Sequence, residues 1–427
     1  MTIDGILSKI ILIIYVNSDS GFVGEEIMKK KKETWRKRRH AWVRNVLKVL
    51  IGPFSYLLYG MRVEKFKAQG DRQYLILFNH QTAFDQFFVG LAFRGPVYYI
   101  ASEDLFSKGW VSSAIRFLVA PIPIKKQTTD IRAVMNCLKV AKEGGTIAMA
   151  PEGNRTFSGR TGYINPAVVP LVKKLGIPVA LFRIEGGYGV QPRWSDVIRK
   201  GRMRSYVSEV IEPEEVKSLS NEQLMERITK GLAVDEARED GEYRHKQSAQ
   251  YLERAMYVCP YCGFTTFESH NDTIRCLTCE REIRYLPDKR LQGVGFDFPF
   301  AYVGPWYDYQ CRYVNEADTL NNLNEPFYHE KANLIEVLAY KEKRVLQKDA
   351  PIELYGDRIV CGEHVFAFDS ISAVTVLGRN KVNIYDGDVI YQFKSRDKRF
   401  NALKYVNLFY RYKNLTSEEK HEQFLGI

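Results

Sequence analysis

Between residues 72 and 184 short apolar runs alternate with longer amphipathic ones, and this alternation limits what the chain can fold into more than any other feature. Residues 74–78, 97–101, 122–124, 146–150 and 179–184 read as strands. Thr128, Thr129 and Asp130 are helix start signals answered by the stop Gly144-Gly145, and a second helix runs from about residue 165 to Gly176, ahead of Pro178. Strands and helices in this order predict an α/β sheet covered by helices, with reactive side chains where strands end.

Three polar clusters lie at such ends. The first is Asn79-His80-Gln81-Thr82-Ala83-Phe84-Asp85, between the strand 74–78 and a helix carrying Phe87, Phe88, Val89 and Leu91. A histidine takes a proton near neutral pH, and a carboxylate on its other ring nitrogen fixes the tautomer. Asp85 reaches back to His80 only if the chain bends at the helix start, and the same spacing also suits a capping arrangement. The second cluster, Pro151-Glu152-Gly153-Asn154-Arg155-Thr156, follows the strand 146–150. Gly153 permits a tight turn, Arg155 can grip a phosphate at two points, and Glu152 can bond a substrate hydroxyl or orient that arginine; a surface turn with an ordinary Glu and Arg pair fits as well. The third, Ala120-Pro121-Ile122-Pro123-Ile124-Lys125-Lys126, places two cations after a strand, which taken alone fits two ordinary exposed lysines.

In this order the clusters resemble the glycerolipid acyltransferase family typified by bacterial lysophosphatidic acid acyltransferase. His80 and Asp85 match its H-x4-D block, residues 151–156 its F-P-E-G-T-R-S block, Ile124-Lys125-Lys126 its apolar stretch ending in Arg, and Gly176-Ile177-Pro178-Val179 its proline-containing block. The resemblance covers roughly residues 40–230. It implies direct attack, with His80 as general base and Asp85 orienting it. Glu152, Gly153, Asn154, Arg155 and Lys126 would hold the acceptor, and no catalytic metal or organic cofactor is implied. The acyl donor would be a thioester of coenzyme A or acyl carrier protein. The chain departs from the pattern at Ala150 for Phe, Asn154 for Thr, Thr156 for Ser and Lys126 for Arg, and Ala101-Ser102-Glu103-Asp104-Leu105 occupies a region where many members carry a lysine. These changes bear on the acceptor, for which lysophosphatidic acid (1-acylglycerol 3-phosphate) is favoured over glycerol 3-phosphate or another lysolipid.

Seven cysteines include two tight pairs, Cys259/Cys262 and Cys276/Cys279, separated by thirteen residues. The pattern resembles a zinc ribbon and predicts one structural Zn2+ held by these four thiolates, without His270. Residues 293–313 are unusually aromatic, and from about residue 334 short β runs begin: 352–355, 358–361, 365–368, 373–377, 382–385 and 389–393. Gly356 and Asp386-Gly387 mark hairpins, and a last helix aligns Phe400, Leu403, Val406 and Phe409. This layout is similar to the pleckstrin-homology or GRAM superfamily, and Lys381, Lys394, Arg396, Lys398 and Arg399 are either headgroup contacts or a solvated charged face.

A net charge of +11 points to a polyanionic partner. Residues 29–39 form a basic block leading into Trp42, Val43, Val46, Leu47, Val49, Leu50 and Ile51, a pattern for a helix lying on an anionic membrane surface or for a basic arm before a core helix. The early apolar run at 10–16 is too short to span a bilayer. The expected location is the cytoplasmic face of a membrane, peripheral or monotopic. The expected organisation is a membrane-surface segment at 1–62, an acyltransferase domain at 63–235, a charged helical linker at 236–255, a zinc ribbon at 256–290, an aromatic connector at 291–331 and a small β domain with a helix at 332–427. Two other readings are a lipid-binding scaffold without turnover and a nucleic-acid-binding protein; the ribbon segment is not markedly basic, which disfavours nucleic acid.

Overall fold

The structure, a computed structural model, describes residues 34–106, 110–124, 130–238, 241–337, 343–387 and 389–416. Its first half is built on a mixed seven-stranded sheet in the order β1-β7-β6-β2-β5-β3-β4, made of β1 (Met61–Val63), β2 (Leu75–Phe78), β3 (Val97–Ser102), β4 (Ile122–Ile124), β5 (Thr146–Met149), β6 (Val179–Glu185) and β7 (Met203–Ile211). Strands β6, β2, β5, β3 and β4 run parallel, while β7 is antiparallel to β6 and β1 parallel to β7. All four residues of β2 are buried, as a central strand covered on both faces requires. Leu75 sits in register with Ile147 on one side and Val179 on the other. That pairing brings the ends of β2, β5 and β6 side by side.

Helices α1 (Arg38–Tyr59), α2 (Asp85–Ala92), α3 (Trp110–Val119), α4 (Ile131–Lys142), α5 (Val168–Leu175), α6 (Gly187–Val190), α7 (Pro213–Ser218) and α8 (Asn221–Leu232) cover this sheet. Asp130 caps α4, its side chain accepting from the Ala133 amide at 3.1 Å, and Ala133, Cys137, Val140 and Ala141 form the buried stripe. Gly176 ends α5 in the left-handed region at φ 62°, where a residue without Cβ closes a helix cheaply. In α1, Val43, Ile51 and Tyr59 are buried, and Val43 packs with Leu118 of α3. The opposite face leaves Trp42, Val49, Leu50, Tyr56 and Leu57 exposed, Leu57 at 81%. No helix among the described residues is long and apolar enough to cross a membrane.

The second half contains the two-stranded β8 (Val258–Cys259) and β9 (Gly263–Phe264), and a four-stranded antiparallel sheet of β10 (Phe267–His270), β11 (Thr273–Cys276), β12 (Glu282–Tyr285) and β13 (Leu291–Gly293). Helix α9 (Val303–Glu316) follows. A seven-stranded antiparallel sheet then runs in the order β17-β16-β15-β14-β20-β19-β18. Its strands are β14 (Tyr328–Val337), β15 (Lys343–Leu354), β16 (Arg358–Cys361), β17 (His364–Ala367), β18 (Ala373–Leu377), β19 (Lys381–Asp386) and β20 (Val389–Lys394), and helix α10 (Leu403–Thr416) packs on β18 and β19. Gly356 turns the chain between β15 and β16 against the carbonyl of Thr319, which leaves no room for a Cβ.

The aromatic connector resolves into a central post. Trp306 of α9 is fully buried and donates from Nε1 to the Val258 carbonyl at 3.0 Å. On the same helix the Gln310 side chain accepts from the amides of Tyr257 and Val258 and donates to the Ala255 carbonyl. One hydrophobic cluster consequently joins Phe157, Tyr188 and Trp194 of the first half to Cys259, Trp306, Leu354 and Phe409.

Residues 236–255, expected to be a charged helical linker, contain no α-helix among those described, only a single 3-10 turn at Leu252–Arg254. Tertiary contacts outweigh local helix propensity there. The Glu236 carboxylate takes the amides of Gly186 and Gly189, the Tyr243 amide donates to the Pro287 carbonyl at 2.7 Å, and Arg244 forms a bridge with Lys200. Of the basic block at 29–39, residues 29–33 lie outside the described residues, as does Lys126.

Candidate active site

The bend that joins His80 to Asp85 is present. After β2 the chain turns so that His80 Nδ1 lies 2.7 Å from Asp85 Oδ2, with Asp85 the first residue of α2. The carboxylate also accepts from the amide of Gln81 at 2.7 Å, the amide of Thr82 at 2.9 Å and the Thr82 hydroxyl at 2.7 Å. Asp85 therefore closes the turn that precedes α2 and holds the histidine at once, while Phe84, at the N-cap position of the helix, supplies no side-chain cap. It is fully buried, whereas the His80 side chain is 26% exposed. A carboxylate that only accepts obliges Nδ1 to carry the ring proton, the tautomer that leaves its lone pair on Nε2. Asn79, unassigned by sequence reasoning, anchors the turn: its side chain accepts from the Ile184 amide at 2.7 Å and donates to the Ile184 carbonyl at 2.8 Å. A buried asparagine beside a histidine was the available signal, but its partner lies 105 residues away.

Glu152 ties the second cluster to the first. Its Oε1 accepts from the His80 amide at 2.7 Å, and its Oε2 from the Gly162 amide at 2.6 Å. Burial pushes its carboxyl up to about 8, against the lowering effect of those two amides, with the nearby Asp85 charge adding to the rise. Gly153 occupies the left-handed region at φ 68° and its amide closes a turn onto the Ala150 carbonyl at 3.0 Å. The Arg155 carbonyl accepts from Arg193 Nη1 at 2.7 Å. Arg160 pairs with both Asp235 and Asp308.

His80, Glu152, Gly153, Asn154 and Arg155 line one cleft of about 2260 Å³. Apolar walls are supplied by Val43, Leu47 and Ile51 of α1 and by Val111, Ile115 and Leu118 of α3. On another side the lining continues into Tyr307 of α9 and residues 374–378 at the end of β18. The arrangement can take a proton at a histidine, receive an anion at arginine and accommodate a hydrocarbon chain.

Cys259, Cys262, Cys276 and Cys279 converge, their four sulfurs all within 4.8 Å of one another. Sγ of Cys259 and Cys279 lie 3.7 Å apart, and those of Cys262 and Cys276 lie 3.5 Å apart. A tetrahedron with metal–sulfur bonds of about 2.3 Å has sulfur–sulfur edges of about 3.8 Å, so the donor set fits one Zn2+. His270, exposed at the end of β10, is not in this group.

Comparison with known proteins bears on the first half. The Acyltransferase family model matches residues 61–184. Curated relatives include the chloroplastic 1-acyl-sn-glycerol-3-phosphate acyltransferase BAT2 of Brassica napus, 23% identical over 139 residues that make up 31% of this chain and 39% of the relative. The chloroplastic enzyme LPAT1 of Arabidopsis thaliana is 22% identical over 39% of this chain and 48% of its own length, and the 1-acyl-sn-glycerol-3-phosphate acyltransferase of Bacillus subtilis is 22% identical over 44% and 90%. The chain thus spans less than half the length of the two plant relatives. Among solved structures, that of PlsC, the 1-acyl-sn-glycerophosphate acyltransferase of Thermotoga maritima, aligns at 22% identity and a TM-score of 0.39 over 46% of this chain and 80% of that one. Residues 61–184 thus match an acyltransferase domain, and over that segment the chain is similar to glycerolipid acyltransferases of the PlsC type.

Proposed function

We propose that this protein transfers a fatty acyl group from a thioester of coenzyme A or acyl carrier protein to the hydroxyl of a glycerol-phosphate lipid, with 1-acylglycerol 3-phosphate as the favoured acceptor. The observation that carries the reading is the 2.7 Å contact of His80 with a buried Asp85 inside a cleft that also presents Glu152 and Arg155. His80 Nε2 takes the proton of the acceptor hydroxyl as its oxygen attacks the thioester carbonyl carbon; the carbon–sulfur bond then breaks, and the imidazolium returns the proton to the departing thiolate. Asp85 stabilises the imidazolium, and its backbone partners keep it from moving toward the substrate. Glu152 holds the His80 and Gly162 segments together, so that His80 and Arg155 face the same ligand. Arg155 receives the phosphate, with Gly153 and Asn154 shaping the turn around it and Lys126 assigned to the same phosphate on the resemblance alone. The apolar wall of α1 and α3 suits the acyl chain.

Supporting parts follow the same reading. The exposed apolar face of α1 would lie in the headgroup layer of an anionic membrane, at its cytoplasmic face. The four cysteine sulfurs would hold one structural Zn2+ that closes the ribbon and leaves no position for substrate. The C-terminal sheet with α10 would serve as a small β domain of the pleckstrin-homology or GRAM kind.

The test offers purified protein labelled acyl-CoA and acylated carrier protein with 1-acylglycerol 3-phosphate, glycerol 3-phosphate or another lysolipid in vesicles. Product from a phosphate-bearing acceptor, absent in His80→Ala, is the expected result. Folded, metal-loaded protein that acylates none of them would refute the proposal.

A further inference from the structure

Arg193 is 5% exposed, lies beyond the matched acyltransferase segment, and is held by main-chain carbonyls from two distant parts of the chain. Its Nη1 donates to the Arg155 carbonyl at 2.7 Å, its Nε to the Gly378 carbonyl at 2.7 Å and its Nη2 to the Val376 carbonyl at 2.9 Å. The guanidinium carbon also stands 4.3 Å from the ring centre of Phe157. Arg155, Phe157, Arg193 and residues 376–378 all line the cleft that holds His80 and Glu152. A buried arginine satisfied by carbonyls and an aromatic face fixes the relative position of those groups tightly, because its planar fork has fixed donor directions.

We propose that Arg193 is a positioning residue through which the C-terminal sheet becomes part of the acceptor site: the end of β18 holds Arg193, and Arg193 holds the backbone of Arg155 where its side chain meets the acceptor phosphate. The proposal rests on the reading of Arg155 given above. It adds that acceptor affinity depends on residues nearly two hundred positions downstream, outside the acyltransferase domain. Arg193 touches no reacting atom. Loosening it displaces the anion contact and leaves the His80–Asp85 pair in place.

A second contact between the same parts supplies the control. Arg379 pairs with Asp196 at 3.1 Å beside Arg193, and no contact of that pair reaches Arg155 in the bonds described. Steady-state transfer is measured with acyl-CoA and 1-acylglycerol 3-phosphate in phosphatidylcholine vesicles for wild type, Arg193→Lys, Arg379→Ala and Arg155→Ala. Arg193→Lys keeps the charge but cannot serve three carbonyls in fork geometry. Its acceptor KM should rise about tenfold with kcat within about twofold, the equivalent of one lost charge-assisted hydrogen bond. Arg379→Ala should leave KM unchanged. Arg193→Lys with wild-type KM overturns the inference, as does an equal KM rise in Arg379→Ala, which would make Arg193 an ordinary interface contact. A normal KM in Arg155→Ala would instead refute the reading of Arg155, and absence of transfer by wild type would refute the proposed activity. Should Arg193→Lys fail to fold, hydrogen exchange on wild type decides: adding the acceptor vesicles should slow exchange in both 151–160 and 374–380, and protection confined to 151–160 overturns the coupling.

Discussion

Replacing Asp85 with asparagine isolates the electrostatic part of the proposed chemistry. The imidazolium that forms as His80 takes a proton has its charge centre about 4 Å from that of the carboxylate. At an effective dielectric of about 20 this pair is worth about 4 kcal/mol, or about a thousandfold in rate. Asparagine can also rotate to present its NH2 to Nδ1, which forces the ring proton onto Nε2 and removes the base; the total loss in kcat is then about 10³ to 10⁴. The fold should suffer less. With the amide oxygen at the Oδ2 position, the amides of Gln81 and Thr82 and His80 Nδ1 keep an acceptor. The charge assistance is lost and the Thr82 hydroxyl and amide face an NH2 in place of Oδ1, together about 2–3 kcal/mol of stability in this rotamer. The rotamer that turns NH2 to Nδ1 costs more because it opposes the Gln81 and Thr82 amides. The assay is the initial rate of labelled acyl transfer at saturating donor and acceptor, alongside thermal unfolding of the same preparation. A variant that melts near the wild-type temperature and turns over within tenfold of it would refute the assignment of Asp85.

Glu152 has a pH signature of its own. Its folded value of about 8 lies above the ordinary carboxylate range because burial disfavours the charged form, so the folded state binds the proton more tightly. The associated stability is fully present below the ordinary value and is lost as pH rises to about 8; Glu152→Gln should flatten the fall in melting temperature between pH 5 and 8, and an unchanged slope would contradict this. Metal analysis should find about one zinc per chain. Cys276→Ala should lose it together with several kcal/mol of stability, because Cys276 is buried in the shared core; zinc-free protein of normal stability would remove the ribbon assignment. On the outer face of α1, Val49→Asp with Leu57→Asp should lower partition to anionic vesicles at least tenfold, from about 1 kcal/mol per apolar side chain, without changing the melting temperature, since both residues are exposed. Unchanged partition would exclude this face as the membrane contact.

How far the sequence disclosed this molecule depended on where the signal resided. Strand β4 coincides with the run at 122–124, and β16 and β18 with the runs at 358–361 and 373–377, because their burial is a property of consecutive side chains. The His80–Asp85 contact was legible because five residues of local chain and one bend create it. Helix α9 was not: Val303, Trp306, Tyr307, Gln310, Cys311 and Val314 form its buried stripe, but the polar Gln310 inside that stripe and the aromatic Tyr309 and Tyr313 outside it blur the pattern. Strand β7 was likewise passed over, and the start of β14 was missed, because polar and charged residues such as Arg204, Ser205, Ser208 and Glu209, or His329, Glu330 and Lys331, interrupt their apolar runs. Of the cations assigned to headgroups or solvent, Arg399 binds Glu268 and approaches the buried Glu253, while Arg396 reaches Asp349 at 3.7 Å. Arg193 left no trace, since its partners are carbonyls, which every residue carries.

The hydrophobic cluster that runs from Phe157 and Trp194 through Trp306 to Phe409 has a thermodynamic consequence. An interior shared by segments more than two hundred residues apart cannot be dismantled from one end without wetting the other. Heating should therefore produce a common calorimetric transition for the two halves, with a calorimetric enthalpy that matches the van't Hoff value. Excising residues 61–184 would leave Phe157 without Arg193 or its aromatic neighbours and turn part of a closed interior into a sticky surface.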